Sequence, residues 1–285
     1  MRANIRSLFV VAHLTFHEAR RKRVLLAALV LGLAFLLLFG IGFNLIYVEM
    51  QHSTRLRGAS ALMNDQFLNF ISLAGLYAVN FLGIMMSGLL PVDTLAGEIR
   101  SGMIQSLVTK PARRWAIVLG KWLGFWVMIV LYLALMAGGV IGIVYALSGT
   151  LLANAGWGLL LMLLEATIVL SISIAGGTYF STLANGVVVF GLFGFAFIGG
   201  WVERIGSTFG NKSAEQIGVI SSLIMPTEAL WQLAAYHMQP TILRQLGLSP
   251  FSSTSEPSPL MVIWAFGMLI TVLVIALRQF NQRDL

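Results

Sequence analysis

Long uncharged stretches alternate with short polar ones along the chain. Val24 to Tyr47 holds no charged residue over 24 positions, and at 1.5 Å rise per residue a helix of that length crosses roughly 30 Å of hydrocarbon. Phe67 to Leu90 repeats the pattern, and from Trp122 no charged residue or histidine appears until Glu165. A run that long must contain more than one helix. Polar and small residues cluster at Ser148 to Asn154 and again at Ser181 to Gly186 (STLANG), the places where breaks are expected. The spans then fall at about 24–47, 67–90, 122–147, 156–180, 185–202 and 260–277. The expected fold is all-α: a polytopic membrane protein with six transmembrane helices in one domain covering 1–285.

Three polar segments carry a helical pattern of their own. Residues 4–20 set Ile5, Leu8, Phe9, Ala12, Phe16 and Ala19 against Arg6, His13, His17 and Arg20, which predicts an interfacial helix in the headgroup layer. Between the second and third spans lies PVDTLAGEIRSGMIQSLVTKPARRWAIVLGK, Pro91 to Lys121. Leu95, Ile99, Met103 and Leu107 recur there every four residues, laying a stripe along one side of a short amphipathic helix. Asp93 or Thr94 can cap its start, and Lys110 before Pro111 ends it, since proline disfavours a helical residue before it. The third segment, 203–259, has an apolar run too short to cross, Ile217 to Met225, followed by Pro226, Thr227 and Glu228 as a helix start. It reads as one or two amphipathic or re-entrant helices between spans five and six.

Charge fixes the expected orientation. Of the 18 Lys and Arg residues, six precede the first span, five lie in the Pro91 to Lys121 segment and two follow the last span, against five in the remaining polar loops. Cytoplasmic flanks collect lysine and arginine, so both termini and the Pro91 to Lys121 segment are expected inside. Composition agrees with a membrane protein: 58% hydrophobic and 10% charged residues with mean hydropathy +0.87, far from the roughly 25% charged content of soluble domains. The net charge of +7 sits beside apolar spans rather than along a soluble face, which argues against nucleic-acid binding. Met1 to Arg23 lacks a cleavable signal pattern, so the first span is the expected targeting element. Zero cysteines exclude disulfides and thiolate chemistry.

The set Glu98, Gly102, Leu107, Pro111, Arg114, Gly120 and Lys121 resembles the segment after the second span of ABC type-2 permeases, with its nearest flavour in permeases of the nitrous-oxide-reductase maturation type. The resemblance implies a coupling helix that docks on a separate cytoplasmic ATPase, with Leu95, Glu98, Ile99, Gly102, Met103, Leu107, Pro111 and Arg114 as the coupling residues. It further implies an exporter subunit of the inner (plasma) membrane, a homodimer of the permease in the lipid bilayer, and ATP bound by the partner with no cofactor on this chain.

Glu165 is the ionisable side chain inside a predicted span. A charge at bilayer depth costs on the order of 2.5–3.5 kcal/mol on insertion scales, so this carboxyl either lines a conduit or is tied to a neighbouring Ser, Thr or Asn as structural glue. The glycine pairs Gly120 with Gly124, Gly138 with Gly142, and Gly176 with Gly177 serve internal helix packing or a dimer surface. The histidines of H-x-x-x-H-E (His13, His17, Glu18) miss the zinc motif because the glutamate follows the second histidine. Gly206 to Ser213 misses the phosphate-loop spacing by one residue. Asn211 to Ser213 matches a glycosylation sequon, a short pattern with no role assigned here. Hydrolysis by a partner therefore competes with two other schemes: an ion-gradient-driven secondary transporter, which would favour several buried acids, and a membrane scaffold without transport.

Overall fold

The computed structural model describes residues 2–57, 61–94, 96–97, 114–240 and 258–282. Among them the chain forms nine helices and no strands: α1 Arg2–Arg20, α2 Arg23–Arg57, α3 Ala61–Leu89, α4 Arg114–Ser148, α5 Ala155–Tyr179, α6 Thr182–Thr208, α7 Lys212–Ile224, α8 Thr227–Met238 and α9 Leu260–Gln282. Six of these, α2 to α6 and α9, are long and apolar enough to cross a membrane. The all-helical six-span architecture read from the hydropathy pattern is the one observed.

Helices stop where the sequence offers a break. After Ser148, Gly149 adopts φ +70 and Asn154 φ 44, left-handed conformations that glycine and asparagine tolerate. Ser181 caps α6 by accepting from the Ala184 N–H at 3.5 Å, and Asn211 caps α7, accepting from the N–H groups of Ser213 and Ala214 at 3.1 and 3.3 Å. The sequon asparagine thus has a local structural task.

Several helices run past the limits read for their spans, α2 to Arg57 among them. The fifth span, read as 185–202, continues as α6 to Thr208, and the third, read from Trp122, begins as α4 at Arg114. In both places charged residues were taken as span limits, yet they lie on continuous helix. Lys121 is only 4% exposed.

The most enclosed of the six spans is α5, which packs against α3, α4, α6, α8 and α9. Indole donors join it to α4: Trp122 Nε1 donates to Ser171 Oγ at 2.9 Å and Trp126 Nε1 to Thr167 Oγ1 at 3.1 Å. By contrast α2 leaves Leu26, Leu31, Leu37, Leu38, Ile41 and Leu45 outside, the surface expected against lipid or another subunit. Beyond α6 the chain doubles back: α7 lies along α6, with Gly206 against Ala214 and Gly199 against Ser221. A bend of 104° at Met225 and Pro226 separates α7 from α8. α8 then returns beside α5, where Gly158 abuts Met238 and Asn154 Nδ2 donates to the His237 carbonyl at 3.4 Å.

α1 packs on α4, but on a face rotated from the predicted stripe. Thr15 and Ala19 are buried while Phe9, Val10 and Leu14 are exposed. Gly120 and Gly124 make the approach possible: a Cβ on Gly120 would stand 2.9 Å from the Leu8 carbonyl oxygen, and one on Gly124 would stand 2.7 Å from that of Ala12. This glycine pair serves internal packing. Gly138 and Gly142, by contrast, face open space.

Candidate functional site

Two polar centres stand out in an otherwise apolar bundle, one at the flanks of the Pro91 to Lys121 segment and one buried among α3, α5, α6 and α8. Leu95, Glu98, Ile99, Gly102, Met103, Leu107 and Pro111, expected from the resemblance to couple to a partner, lie outside the described residues, whereas the two flanks of the segment and Arg114 are described.

At the first flank the chain leaves α3 through buried Leu90 and Pro91 and begins a helical turn, with the Gly97 N–H donating to the Asp93 carbonyl at 2.8 Å. Side chains from distant helices fasten it. Lys22 Nζ, in the link between α1 and α2, donates to Thr94 Oγ1 at 2.9 Å and also sits 5.7 Å from the centre of the Phe125 ring on α4. Thr182 Oγ1, at the start of α6, donates to Asp93 Oδ1 at 2.6 Å. Asn185 Nδ2, one turn later, donates to the Val92 carbonyl at 3.3 Å and to the Ser173 carbonyl of α5 at 2.8 Å. Ser173 Oγ in turn donates to the Gly88 carbonyl of α3 at 2.9 Å.

At the other flank Arg114 opens α4 and donates through Nη1 to the Asn281 carbonyl of α9 at 3.1 Å. The segment is therefore tied at its start to the link between α1 and α2 and to α6, through which it reaches α5, and at its finish to α9, besides the two spans it joins. Of these partners the sequence reading had marked none; Asn185 had been placed in a break, where its burial was invisible.

Glu165 lies in the second centre. It is 1% exposed, and one carboxylate oxygen, Oε2, accepts from Asn80 Nδ2 of α3 at 2.9 Å. Glu228 of α8, 3% exposed, is within electrostatic reach of it. Glu228 pairs directly with the Arg204 guanidinium near the C-terminal end of α6, and Gly200 leaves the room: a Cβ there would collide with Glu228 Cγ. Arg204 also lies over Trp201, 5.1 Å from the ring centre. Tyr77 of α3 faces the Trp201 indole and packs on Trp231 with ring centres 4.9 Å apart. Around these groups Asn80 Oδ1, Thr227 Oγ1, Trp231 Nε1 and Gln232 Nε2 are buried and find no partner among the described residues. Glu228 was read from the sequence only as a helix-start residue, and Arg204 only as a loop charge; their pairing joins segments 24 residues apart, beyond the reach of any local pattern.

Burial pushes the Glu228 carboxyl from its ordinary 4.5 up to about 7, with Arg204 pulling it down and Glu203 adding to the rise. A carboxyl raised in the folded state favours folding most below its unfolded value, and that contribution fades as pH rises through 7. The fold is accordingly expected to gain stability as pH falls from 7 toward 4.5, measured by thermal unfolding in detergent, and Glu228→Gln is expected to flatten that slope. An unchanged slope in the variant would assign the pH dependence to other groups.

A profile of ABC-2 family transporter proteins matches residues 9–285. The chain belongs to this family. No curated protein matches it. It is a multi-pass membrane protein and a permease subunit of an ABC transporter, the kind of subunit that works with a separate ATP-binding partner and does not itself carry the catalytic site.

Proposed function

We propose that this permease is the membrane half of an ATP-driven exporter and that residues 93–110 form the helix through which a cytoplasmic ATPase moves the spans. The observation that carries the reading is the fastening of both flanks to helices other than those they join, at Lys22 and Asn185 on one side and Asn281 on the other. A stiff segment so tied would transmit a displacement to α2, α5, α6 and α9 as well as to α3 and α4. Packed bundles respond to such a displacement by switching between discrete arrangements.

The centre around Glu165 and Glu228 supplies unpaired donors and acceptors to a polar solute or to water, and the α7 and α8 pair is read as a hairpin re-entering the membrane from outside. The side of the membrane follows from the lysine and arginine count, which places both termini in the cytoplasm. Homodimerisation is assigned to the outer face of α4, where Gly138 and Gly142 stand in open space and would let a second backbone approach.

The test is to replace Glu98 with alanine and Gly102 with leucine in the complex with its ATPase. Expression and membrane insertion are expected to persist while ATP-dependent activity falls by at least tenfold. Full activity in both variants would remove the coupling role. Transport in ATP-free vesicles under an imposed proton gradient would instead favour a secondary transporter, the reading that two neighbouring buried acids, Glu165 and Glu228, would then support.

A further inference from the structure

We propose that the groove between α1 and α4 binds an anionic phospholipid, with Arg6 holding the phosphate and an acyl chain lying along Leu123 and Val127. The groove measures about 690 Å³, within the roughly 300–1,000 Å³ of clefts that enclose small molecules. Its wall is built almost entirely from apolar groups. Phe9, Val10 and Leu14 come from α1 and Leu123 and Val127 from α4, and the ionisable side chains in it are Arg6 and His13, with no carboxylate.

The groove exists because α1 packs with its apolar residues divided between two faces. Thr15 and Ala19 meet α4, whereas Phe9 remains 63% exposed and Leu14 57%. A soluble protein would cover such a patch. Here an amphipathic helix with Phe9, Val10 and Leu14 outward and Arg6, His13, His17 and Arg20 along its length offers apolar and cationic surfaces side by side. Acyl chain and phosphate match those two surfaces in the same order, and Arg6 has no ion-pair partner among the described residues. Basic pockets beside transmembrane helices are a recurrent setting for anionic headgroups.

A zwitterionic lipid would fill the apolar part equally well. The preference for a net negative headgroup therefore rests on Arg6, with the Arg20, Arg21, Lys22 and Arg23 run at the end of the same helix adding to the local field. The proposal rests on the reading that α1 lies at the cytoplasmic membrane surface.

The experiment uses the full-length permease in micelles containing equal phosphatidylglycerol and phosphatidylcholine, with retained lipid counted by native mass spectrometry. Phosphatidylglycerol is expected to be retained in preference, and Arg6→Gln to cut that retention roughly fivefold, which is what one cation contributes at an anionic surface, while leaving phosphatidylcholine unchanged. Val127→Trp, filling the groove from an exposed position, is expected to cut retention of both. Equal retention of the two lipids by the wild-type protein, or retention indifferent to both variants, overturns the proposal. Because the chain has no cysteine, His17→Cys labelled by a membrane-impermeant maleimide reports separately on which side α1 lies. Labelling from the cytoplasmic side together with no lipid preference would reject the lipid site and leave the orientation standing.

Discussion

Replacing Arg204 with alanine is expected to destabilise the folded permease by roughly 3–5 kcal/mol at alkaline pH, the usual consequence of stranding one member of a buried ion pair, and by less near neutral pH, where Glu228 takes up a proton instead. The stranded group is Glu228, enclosed with Glu165 nearby and Glu203 acting on it with the same charge. Taking both charges away is a different matter, since a buried pair replaced by apolar groups of similar size is often near neutral. The double variant Arg204→Met with Glu228→Met is therefore expected to recover most of the loss, because Gly200 already makes room for a side chain of that length. Unfolding measured in one detergent for wild type, single and double variants checks this. A double variant as unstable as Arg204→Ala would mean that the damage comes from lost packing against Trp201 rather than from an unpaired charge.

Gly124→Leu is expected to be the most damaging change at the contact between α1 and α4, costing about 1–3 kcal/mol or more. The nearest atoms to a new Cβ are the Ala12 carbonyl oxygen at 2.7 Å and Thr15 Cβ at 2.8 Å. A backbone oxygen cannot swing aside, so α1 as a whole must lift from α4. Stability and the protease sensitivity of α1 should both report it. Gly138→Leu is the internal control: nothing stands within 4 Å of that position, so monomer stability should move by less than about 0.5 kcal/mol, while any association through this face of α4 should weaken. Equal losses from the two substitutions would contradict the described packing of α1.

The spans were legible because hydrocarbon selects on length and charge alone, and both can be counted. The breaks were legible too, since Gly149, Asn154 and Ser181 act through their own backbone preferences or capping groups. Helix faces were harder. In α1 the apolar stripe was visible, yet Thr15 rather than Phe9 faces α4, because lipid accepts an apolar side chain as readily as protein does and hydrophobicity no longer marks the inside. Partners at long sequence separation were not legible at all. Arg204 looked like the end of a span until Glu228 supplied its counter-charge, and Asn185 looked like loop until its amide met Val92 and Ser173. Glu165 illustrates the middle ground: its need for a hydrogen-bonding neighbour followed from depth, but that the neighbour is Asn80 of α3 required the fold.

The contacts of Lys22 with Thr94 and of Arg114 with Asn281 bring the first and last helices of the chain to opposite ends of one short stretch of polypeptide. Affinity tags and fluorescent fusions are conventionally hung on chain ends in the belief that nothing mechanical happens there. In this molecule a bulky fusion on either terminus would tug on the segment between α3 and α4, and reporters are better carried between α2 and α3.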